Sequence, residues 1–178
     1  MSSNECIIPE CYIDSCLIEV LLYADRNHVD HQKGNGTVAR EMKIKFANAF
    51  CIGIIDQDRK QLDYLGEFNL AIEANDLKLW KHKSGHQYMI QICPVIEEWI
   101  LSVCDQTGVL LKKYNLPESL VGLKKETKSI ASKKDQRFVN LFKDMMKGKS
   151  ESVLQLQNWL EYLKENKYNV DINQLKNG

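Results

Sequence analysis

A short apolar run in the middle of the chain limits the possible folds more than any other feature. Residues 50–55 read Phe-Cys-Ile-Gly-Ile-Ile, and the run ends abruptly at Asp56. A strand that is apolar on both alternating faces is typical of the centre of a parallel sheet, where helices cover both sides. The run therefore predicts an α/β protein with a mostly parallel sheet.

Weaker patterns on either side of this run predict the other elements. We expect further strands at 7–13, 77–81 and 88–93, and helices at 15–23 and 37–48. Thr37 is expected to cap the second helix, and Pro94 to open another, because proline is favoured at a first helical position. From about residue 106 the apolar spacing is helical. The chain thus divides into an α/β domain over 1–105 and an all-helical extension over 106–178.

The composition excludes several classes of protein. The 178 residues are 44% hydrophobic and 27% charged, which is typical of a folded domain. No apolar stretch approaches the roughly 18 residues that are needed to cross a bilayer. Because the N-terminus has neither the basic start nor the apolar run of a secretory signal, we expect a cytoplasmic protein without membrane contact.

Cysteine and histidine are not grouped as metal ligands. The 6 cysteines contain no Cys-x-x-Cys pair, which is the spacing that grips a zinc ion from a tight turn. In a reducing compartment they are expected to be free thiols. His28 and His31 have no third ligand nearby in the sequence and are interpreted as surface residues.

Charges are divided unevenly between the two segments. The chain has 24 basic and 24 acidic residues. Residues 1–105 contain 10 basic and 16 acidic residues, which leaves 14 basic and 8 acidic residues in 106–178. The first segment is therefore acidic and the second basic. Six basic side chains crowd the second segment: Lys124, Lys125, Lys128, Lys133, Lys134 and Arg137. Lysine groups of this density attract phosphates, so the cluster predicts contact with a nucleic-acid backbone. A lysine-rich surface that only aids solubility would have the same pattern, and no aromatic residue lies between these positions to stack on bases.

Carboxylates follow three of the expected strands. Asp14 and Glu19 come after the first, Asp56 and Asp58 after the apolar run, and Glu97 after the last. Functional side chains collect beyond the carboxyl ends of parallel strands, so these five are expected to meet. They would repel one another without a cation, and hard oxygen ligands suit Mg²⁺ or Mn²⁺, so they predict a divalent-metal site. Each also has a purely structural interpretation as a turn or helix-end residue.

Three motifs follow one another along the first segment. They are Asp14-Ser15-Cys16-Leu17-Ile18-Glu19, Ile54-Ile55-Asp56-Gln57-Asp58 and Pro94-Val95-Ile96-Glu97-Glu98-Trp99-Ile100-Leu101. In order and spacing they resemble the motifs of Toprim-fold proteins of the RloB-like kind. That family has a first-strand Glu-Gly followed by a further Glu, an apolar strand ending in Asp-x-Asp, and Pro-x-x-Glu-x-Trp-x-Leu. The resemblance covers roughly residues 10–105, and its third motif is the most specific.

The resemblance implies a compact Toprim-like sheet of about four parallel strands between helices, with an acidic Mg²⁺ site that breaks or makes phosphodiester bonds. It also implies a role in prokaryotic anti-phage defence, often beside an ATPase partner. Asp56, Asp58 and Glu97 would then bind the metal ion. Asp14, or Glu19 in its place, would be the catalytic acid or base. Asp14 and Ser15 stand where the family has glutamate and glycine, and the shorter aspartate limits the reach of the carboxylate.

Three functions are consistent with these observations. The first is a metal-dependent nuclease or related phosphodiesterase that acts on nucleic acid. The second is a catalytically inactive Toprim-like module that binds nucleic acid or a partner protein. A phosphatase built on Asp-x-Asp ranks last, because the nucleophile of such enzymes usually follows the first strand, whereas Asp56 follows a later one.

Overall fold

The computed structural model describes residues 6–23, 34–57 and 62–176, without the side chain of Cys6. Asp58, His28 and His31, which the sequence analysis considers, lie outside this described part. The described strands are β1 (Cys6–Pro9), β2 (Cys51–Asp56), β3 (Phe68–Ala74), β4 (Leu77–His82) and β5 (Gln87–Ile92). They form one sheet in the order β1-β2-β5-β4-β3.

The sheet is mixed. β1 pairs with β2 and β2 with β5 in parallel, whereas β5 with β4 and β4 with β3 are antiparallel. The α/β class is confirmed, but a mostly parallel sheet of about four strands is wrong. Short turns join β3, β4 and β5, and a connection of that length permits a hairpin but not the crossover that a parallel pair needs.

Helices occupy most of the remaining described chain. They are α1 (Tyr12–Leu21), α2 (Asn35–Ile44), α3 (Ile96–Thr107), α4 (Leu120–Thr127), α5 (Gln136–Gly148), α6 (Glu151–Asn166) and α7 (Ile172–Lys176), with 3₁₀ helices at Asp63–Glu67, Leu111–Tyr114, Ile130–Lys134 and Lys167–Asn169. Side-chain oxygens of Ser119, Asp135 and Ser150 accept first-turn amides and so cap α4, α5 and α6. No described helix is both long and apolar enough to span a membrane.

The first strand is shorter than the sequence predicts. β1 ends at Pro9 and α1 begins at Tyr12, so the expected strand 7–13 is wrong over its second half, and Ile13 is buried as part of α1. The Glu10 amide donates to the Ile54 carbonyl at 2.9 Å, which keeps the chain beside β2 as it turns. In consequence Glu10, and not Asp14, directly follows the first strand.

Two expected helix starts are also wrong. Thr37 lies inside the first turn of α2, because Gly34 is the N-cap and its positive φ of 83° lets the chain enter the helix earlier. Pro94 is two residues outside α3, whose N-cap is the extended residue Val95.

Both faces of β2 are buried, as the run at 50–55 predicts for a central strand. Ile52 and Ile54 of β2 lie in a large core with α1, α3 and helices of the C-terminal segment. Cys51 and Ile55, which point the other way, lie in a smaller core with α2.

The C-terminal helices belong to the larger core. Trp99 of α3 and Trp159 of α6 are both fully buried in it. Trp99 Nε1 donates to Ser152 Oγ at 2.5 Å, and this hydroxyl donates to the Asn75 carbonyl at 2.7 Å, which ties α6 to α3 and to the turn between β3 and β4. The expected boundary at residue 105 falls within α3, and the division into two domains stays a prediction.

Candidate functional site

The carboxyl ends of three neighbouring parallel strands bring four acidic side chains together. Glu10 follows β1, Asp56 ends β2, and Glu97 lies in the first turn of α3, shortly after β5. Asp14 joins them from the first turn of α1. The predicted site residues Asp14, Asp56 and Glu97 are thus close enough to act on one another electrostatically, together with Glu10, which sequence reasoning does not single out.

Hydrogen bonds fix three of these carboxylates to backbone amides. Glu10 Oε2 accepts from the Asp56 amide at 3.0 Å, and Asp56 Oδ1 accepts from the Ile96 amide at 2.9 Å. Asp14 Oδ2 accepts from the Cys11 amide at 3.1 Å, as the third residue of a helix does when it reaches back to the N-cap. The ends of β1, β2 and α3 are therefore joined through their acidic side chains.

Glu97 is held from the C-terminal segment. Its Oε1 accepts from the Thr127 hydroxyl at 2.5 Å, and both residues are buried. The Thr127 carbonyl accepts in turn from Ser132 Oγ at 2.9 Å. The helical extension thus positions a predicted metal ligand, and no local sequence pattern reports that contact.

The surroundings of the site favour the neutral forms of two acids. Burial raises the pKa of Asp56 well above its usual range. The negative charges of Asp14, Glu10 and Glu97 raise this pKa further. Burial also raises the pKa of Asp14, and the charges of Glu10 and Glu97 act in the same direction. None of Asp14, Asp56 and Glu97 forms an ion pair with a lysine or arginine of the described chain.

One buried carboxylate oxygen at this edge has no hydrogen-bond partner among the described residues. Asp14 is 1% exposed, and its Oδ1 accepts no hydrogen bond from them. A buried acceptor without a donor costs free energy, so such an atom indicates a missing partner. A cation would supply one.

The described side chains do not form a ready metal cage. Among them, no group of three or more His, Cys, Asp and Glu side chains is arranged to hold a metal ion. Each of the four carboxylates accepts a hydrogen bond from a protein donor with one oxygen. These hydrogen bonds work against convergence of the four groups on one metal position. Asp58 lies outside the described residues. The Mg²⁺ or Mn²⁺ site stays a prediction, whereas the described cysteines are free thiols, as expected.

Glu19 is engaged elsewhere. Its Oε1 lies 3.5 Å from Lys133 Nζ, in the 3₁₀ helix Ile130–Lys134. No hydrogen bond or ion pair joins it to another predicted site residue of the described chain. The side chain therefore links α1 to the C-terminal segment.

A cleft of about 460 Å³ opens beside the carboxylates. We call it the strand-end cleft, and its lining residues are Glu10, Cys11, Tyr12, Gly34, Thr127, Lys128 and Ile130. It joins the acidic residue after β1 to the threonine that holds Glu97. A ligand in this cleft would therefore lie next to the acidic edge of the sheet.

Two members of the basic cluster are already neutralised. Arg137 Nη2 lies 2.7 Å from carboxylate oxygens of both Asp135 and Glu126. Lys133 is paired with Glu19. These two side chains are therefore less suited to hold a phosphate than the sequence predicts.

The other four lysines are not neutralised by described acidic residues. Lys125, Lys128 and Lys134 are exposed and Lys124 is half-buried, and none of them forms an ion pair with a described residue. Among them, Lys128 lines the strand-end cleft. Nucleic-acid contact by the cluster stays a prediction.

Comparisons with known proteins leave the family open. No protein-family model, curated protein or solved structure matches this chain. The resemblance to Toprim-fold proteins therefore rests on the three motifs alone.

Proposed function

We propose that this protein is a divalent-metal-dependent phosphodiesterase that acts on nucleic acid at the strand-end cleft. The observation that carries the proposal is the collection of four carboxylates at the ends of β1, β2 and β5, where the charged groups that raise the pKa of Asp56 are all acidic. Grouped carboxylate oxygens are the ligands that catalytic divalent cations such as Mg²⁺ prefer.

The donor set fits Mg²⁺ or Mn²⁺. It consists of carboxylate oxygens, which hard cations prefer, and it includes the buried Oδ1 of Asp14, for which the described residues supply no hydrogen-bond donor. Asp14, Asp56 and Glu97 would hold the ion, with Asp58 as the further ligand that the motif implies. When bound, the ion would polarise a phosphoryl oxygen and offset the charge that builds on it.

Glu10 is the side chain best placed to move a proton. It lines the cleft, whereas Asp14 is buried beneath the helix start. Glu10 directly follows β1, which is where the Toprim motif has its first-strand glutamate. With Glu10 at that position, Asp14 would correspond to the further glutamate of the motif. Lys128, on the same cleft, would bind a phosphate of the substrate.

The biological setting rests on the motif resemblance alone. It suggests prokaryotic anti-phage defence and an ATPase partner that switches the activity on. Purifying the protein from its natural host with its encoded neighbours, and assaying the mixture with and without ATP, tests this part of the proposal.

A non-catalytic binding module is the second candidate. It is favoured by one observation, namely that the described carboxylates do not form a group arranged to hold a metal ion. In that case the acidic edge would be what is left of a lost catalytic site, and the protein would act by binding nucleic acid or a partner protein.

A cleavage assay separates the two candidates. We would incubate the protein with labelled single- and double-stranded DNA and RNA, in Mg²⁺, in Mn²⁺ and in EDTA. Cleavage that requires the cation and is lost in Asp56→Asn supports the enzyme. Asp105→Asn is the matched control, because Asp105 is an exposed residue of α3 outside the cleft. Binding without cleavage under all conditions, with or without an ATPase partner, leaves the binding module.

A further inference from the structure

The wall of the strand-end cleft contains more than acidic groups. Tyr12 contributes an aromatic side chain from the start of α1. Ile130, which is 68% exposed, contributes an aliphatic side chain from the C-terminal segment, and Lys128 a cation that has no described ion-pair partner. Gly34 contributes backbone only, and a Cβ at this position would meet nothing within 4 Å. The cleft thus has an apolar side, a cationic side and open space between them.

We infer that the strand-end cleft binds one unpaired nucleotide, so that the substrate is single-stranded nucleic acid or a single-stranded end. The cleavage part of this inference rests on the proposed function, whereas the binding part does not. A base has a flat apolar face that stacks on aromatic side chains, and a phosphate is attracted by lysine. Tyr12 with Ile130 fits the first, and Lys128 fits the second.

The size of the cleft favours one nucleotide over a duplex. A volume of about 460 Å³ lies in the lower part of the range of about 300–1,000 Å³ that small-ligand sites occupy. A single nucleotide fits a space of this volume, whereas a duplex keeps its bases stacked and can offer the cleft only its backbone and groove edges. An enzyme that works on a base or phosphate inside a narrow pocket must take the nucleotide out of the stack or accept single strands.

The position of Glu10 sets the orientation of the nucleotide. Its carboxylate repels phosphate, so a phosphate inside the cleft lies on the Lys128 side unless a cation intervenes. The base then lies against Tyr12, which opens α1 and is adjacent in sequence to the N-cap Cys11. In this orientation the acidic edge, where the proposed cation would act, lies beside the bound nucleotide, because Glu10 both lines the cleft and accepts from the Asp56 amide.

This inference changes one sequence-based expectation. The basic cluster has no aromatic residue between its lysines, which predicts contact with the nucleic-acid backbone and no stacking. Packing of α1 against the C-terminal segment places an aromatic residue from the other end of the chain on the same cleft as Lys128. A base could therefore stack on Tyr12 while its phosphate contacts Lys128, although no aromatic residue lies between the lysines in the sequence.

Binding in the presence of EDTA tests the inference without cleavage. We would measure fluorescence anisotropy of a labelled short single-stranded oligonucleotide, as DNA and as RNA, and of the blunt duplex of the same sequence. Single strands should bind at least about tenfold more tightly than the duplex, and Tyr12→Leu should weaken this binding by about 5- to 150-fold, the usual effect of removing one stacking contact. Tyr12→Phe keeps the ring and should bind as the natural chain does. Tyr23→Leu is the matched control, since Tyr23 is 80% exposed and does not line the cleft.

The lysine is tested by salt dependence. Lys128→Ala should weaken single-strand binding and lower the slope of log affinity against log salt by about 0.7, the value for one phosphate contact on a single strand. Lys143→Ala removes an exposed lysine of α5 outside the cleft and should leave the slope unchanged. Thermal melting of each variant shows that it is folded, and Tyr12→Phe serves as the folded ring-bearing reference for Tyr12→Leu.

The outcomes distinguish this inference from the proposed function. Equal binding of duplex and single strand, or unchanged single-strand binding by a folded Tyr12→Leu, overturns the nucleotide cleft even if the protein cleaves nucleic acid with Mg²⁺. Tight, Tyr12-dependent binding of single strands without cleavage of any substrate overturns the proposed phosphodiesterase and leaves the nucleotide cleft in place. A preference for RNA over DNA, or the reverse, identifies which sugar the cleft accepts and supports it in either case.

Discussion

Glu10 follows the first strand and Asp14 lies in the first turn of α1, but only one of these two acids lines the cleft. Glu10 is half-buried and lines the strand-end cleft. Asp14 is 1% exposed, and its Oδ2 is held by the Cys11 amide. A general acid or base must come within hydrogen-bond reach of the substrate, and Glu10 meets that requirement better than the residues that the sequence predicts.

We expect Glu10→Gln to lower Mg²⁺-dependent cleavage by about 10²–10⁴-fold, the usual contribution of a general acid or base. The amide side chain can still accept from the Asp56 amide, so the fold should be kept. Asp14→Asn should act through metal affinity and recover at higher Mg²⁺. Single-turnover cleavage over a series of Mg²⁺ concentrations separates the two effects. An equally large loss in Glu19→Gln, with Glu10→Gln unaffected, would return the role to the sequence-predicted residue.

Thr127 offers a second test at the residue scale. Thr127→Val removes the hydroxyl that donates to Glu97 Oε1 while keeping the shape of the side chain. Because Glu97 is buried, the loss should cost about 1–3 kcal/mol of unfolding free energy, measured by urea denaturation. Thr127→Ser keeps a hydroxyl and should restore most of the stability and of the cleavage rate. A Thr127→Val protein with unchanged stability and activity would show that this hydrogen bond does not hold Glu97.

At the scale of elements, the helices and strands that are most deeply buried are the ones that the sequence predicts correctly. β2 is buried on both faces and α3 buries a continuous stripe, so their positions agree with expectation to within about two residues, the usual uncertainty of element ends. β3 escapes detection because it is an edge strand with exposed side chains and a bulge between Leu70 and Ile72. The adjoining pair Asn75-Asp76, with both residues at positive φ, was the available signal for the hairpin to β4.

The candidate site was predictable where it depends on strand ends and not where it depends on packing. Asp56 ends β2 and Glu97 comes after β5, and the sequence marks the ends of both strands well. Glu10 was hidden because the apolar residues of α1 extend the apparent first strand beyond Pro9. Thr127 and Lys128 reach the site through contacts between elements that are distant in the chain, which no local pattern reports.

The approach of α5 to α3 leads to a prediction at this scale. An alanine Cβ at Gly148 would lie 2.6 Å from Thr107 Cβ and 2.7 Å from its Cγ2. Because one of these atoms is Cβ itself, a rotamer change cannot relieve the clash. Gly148→Ala should therefore lower the free energy of unfolding by about 1–3 kcal/mol. Gly66→Ala, where a Cβ meets nothing within 4 Å, should stay within about 0.5 kcal/mol of the natural chain. Urea denaturation compares the two variants, and equal stabilities would contradict the close approach.

For the whole molecule, the shared core predicts that the first segment does not fold alone. Trp99 and Val103 are buried in the same core as Phe138 and Trp159, which belong to the C-terminal helices. We expect a fragment of residues 1–107 to lack both a near-ultraviolet circular dichroism signal and a cooperative urea transition, because it exposes this apolar surface. The full chain under the same conditions is the reference. A cooperative transition in the fragment would instead support the sequence-predicted division into two domains.

We expect the stability of the protein to depend on divalent cations, because the proposed metal site forms only in the folded state. A cation that binds only the folded state stabilises it by about 2.7 kcal/mol when its concentration is about a hundred times its Kd. For a chain of this length we therefore expect Mg²⁺ to raise the melting temperature by roughly 5–11 °C over EDTA at equal ionic strength. Asp56→Asn is neutral, as the raised pKa of Asp56 favours for the natural side chain when no cation is bound, and it can still accept from the Ile96 amide. In EDTA it should melt at or above the temperature of the natural chain, and Mg²⁺ should hardly move it. The natural chain should therefore melt above Asp56→Asn in Mg²⁺ but at or below it in EDTA. An equal shift of both melting temperatures would indicate a non-specific salt effect and would argue against a metal ion at the ends of β1, β2 and β5.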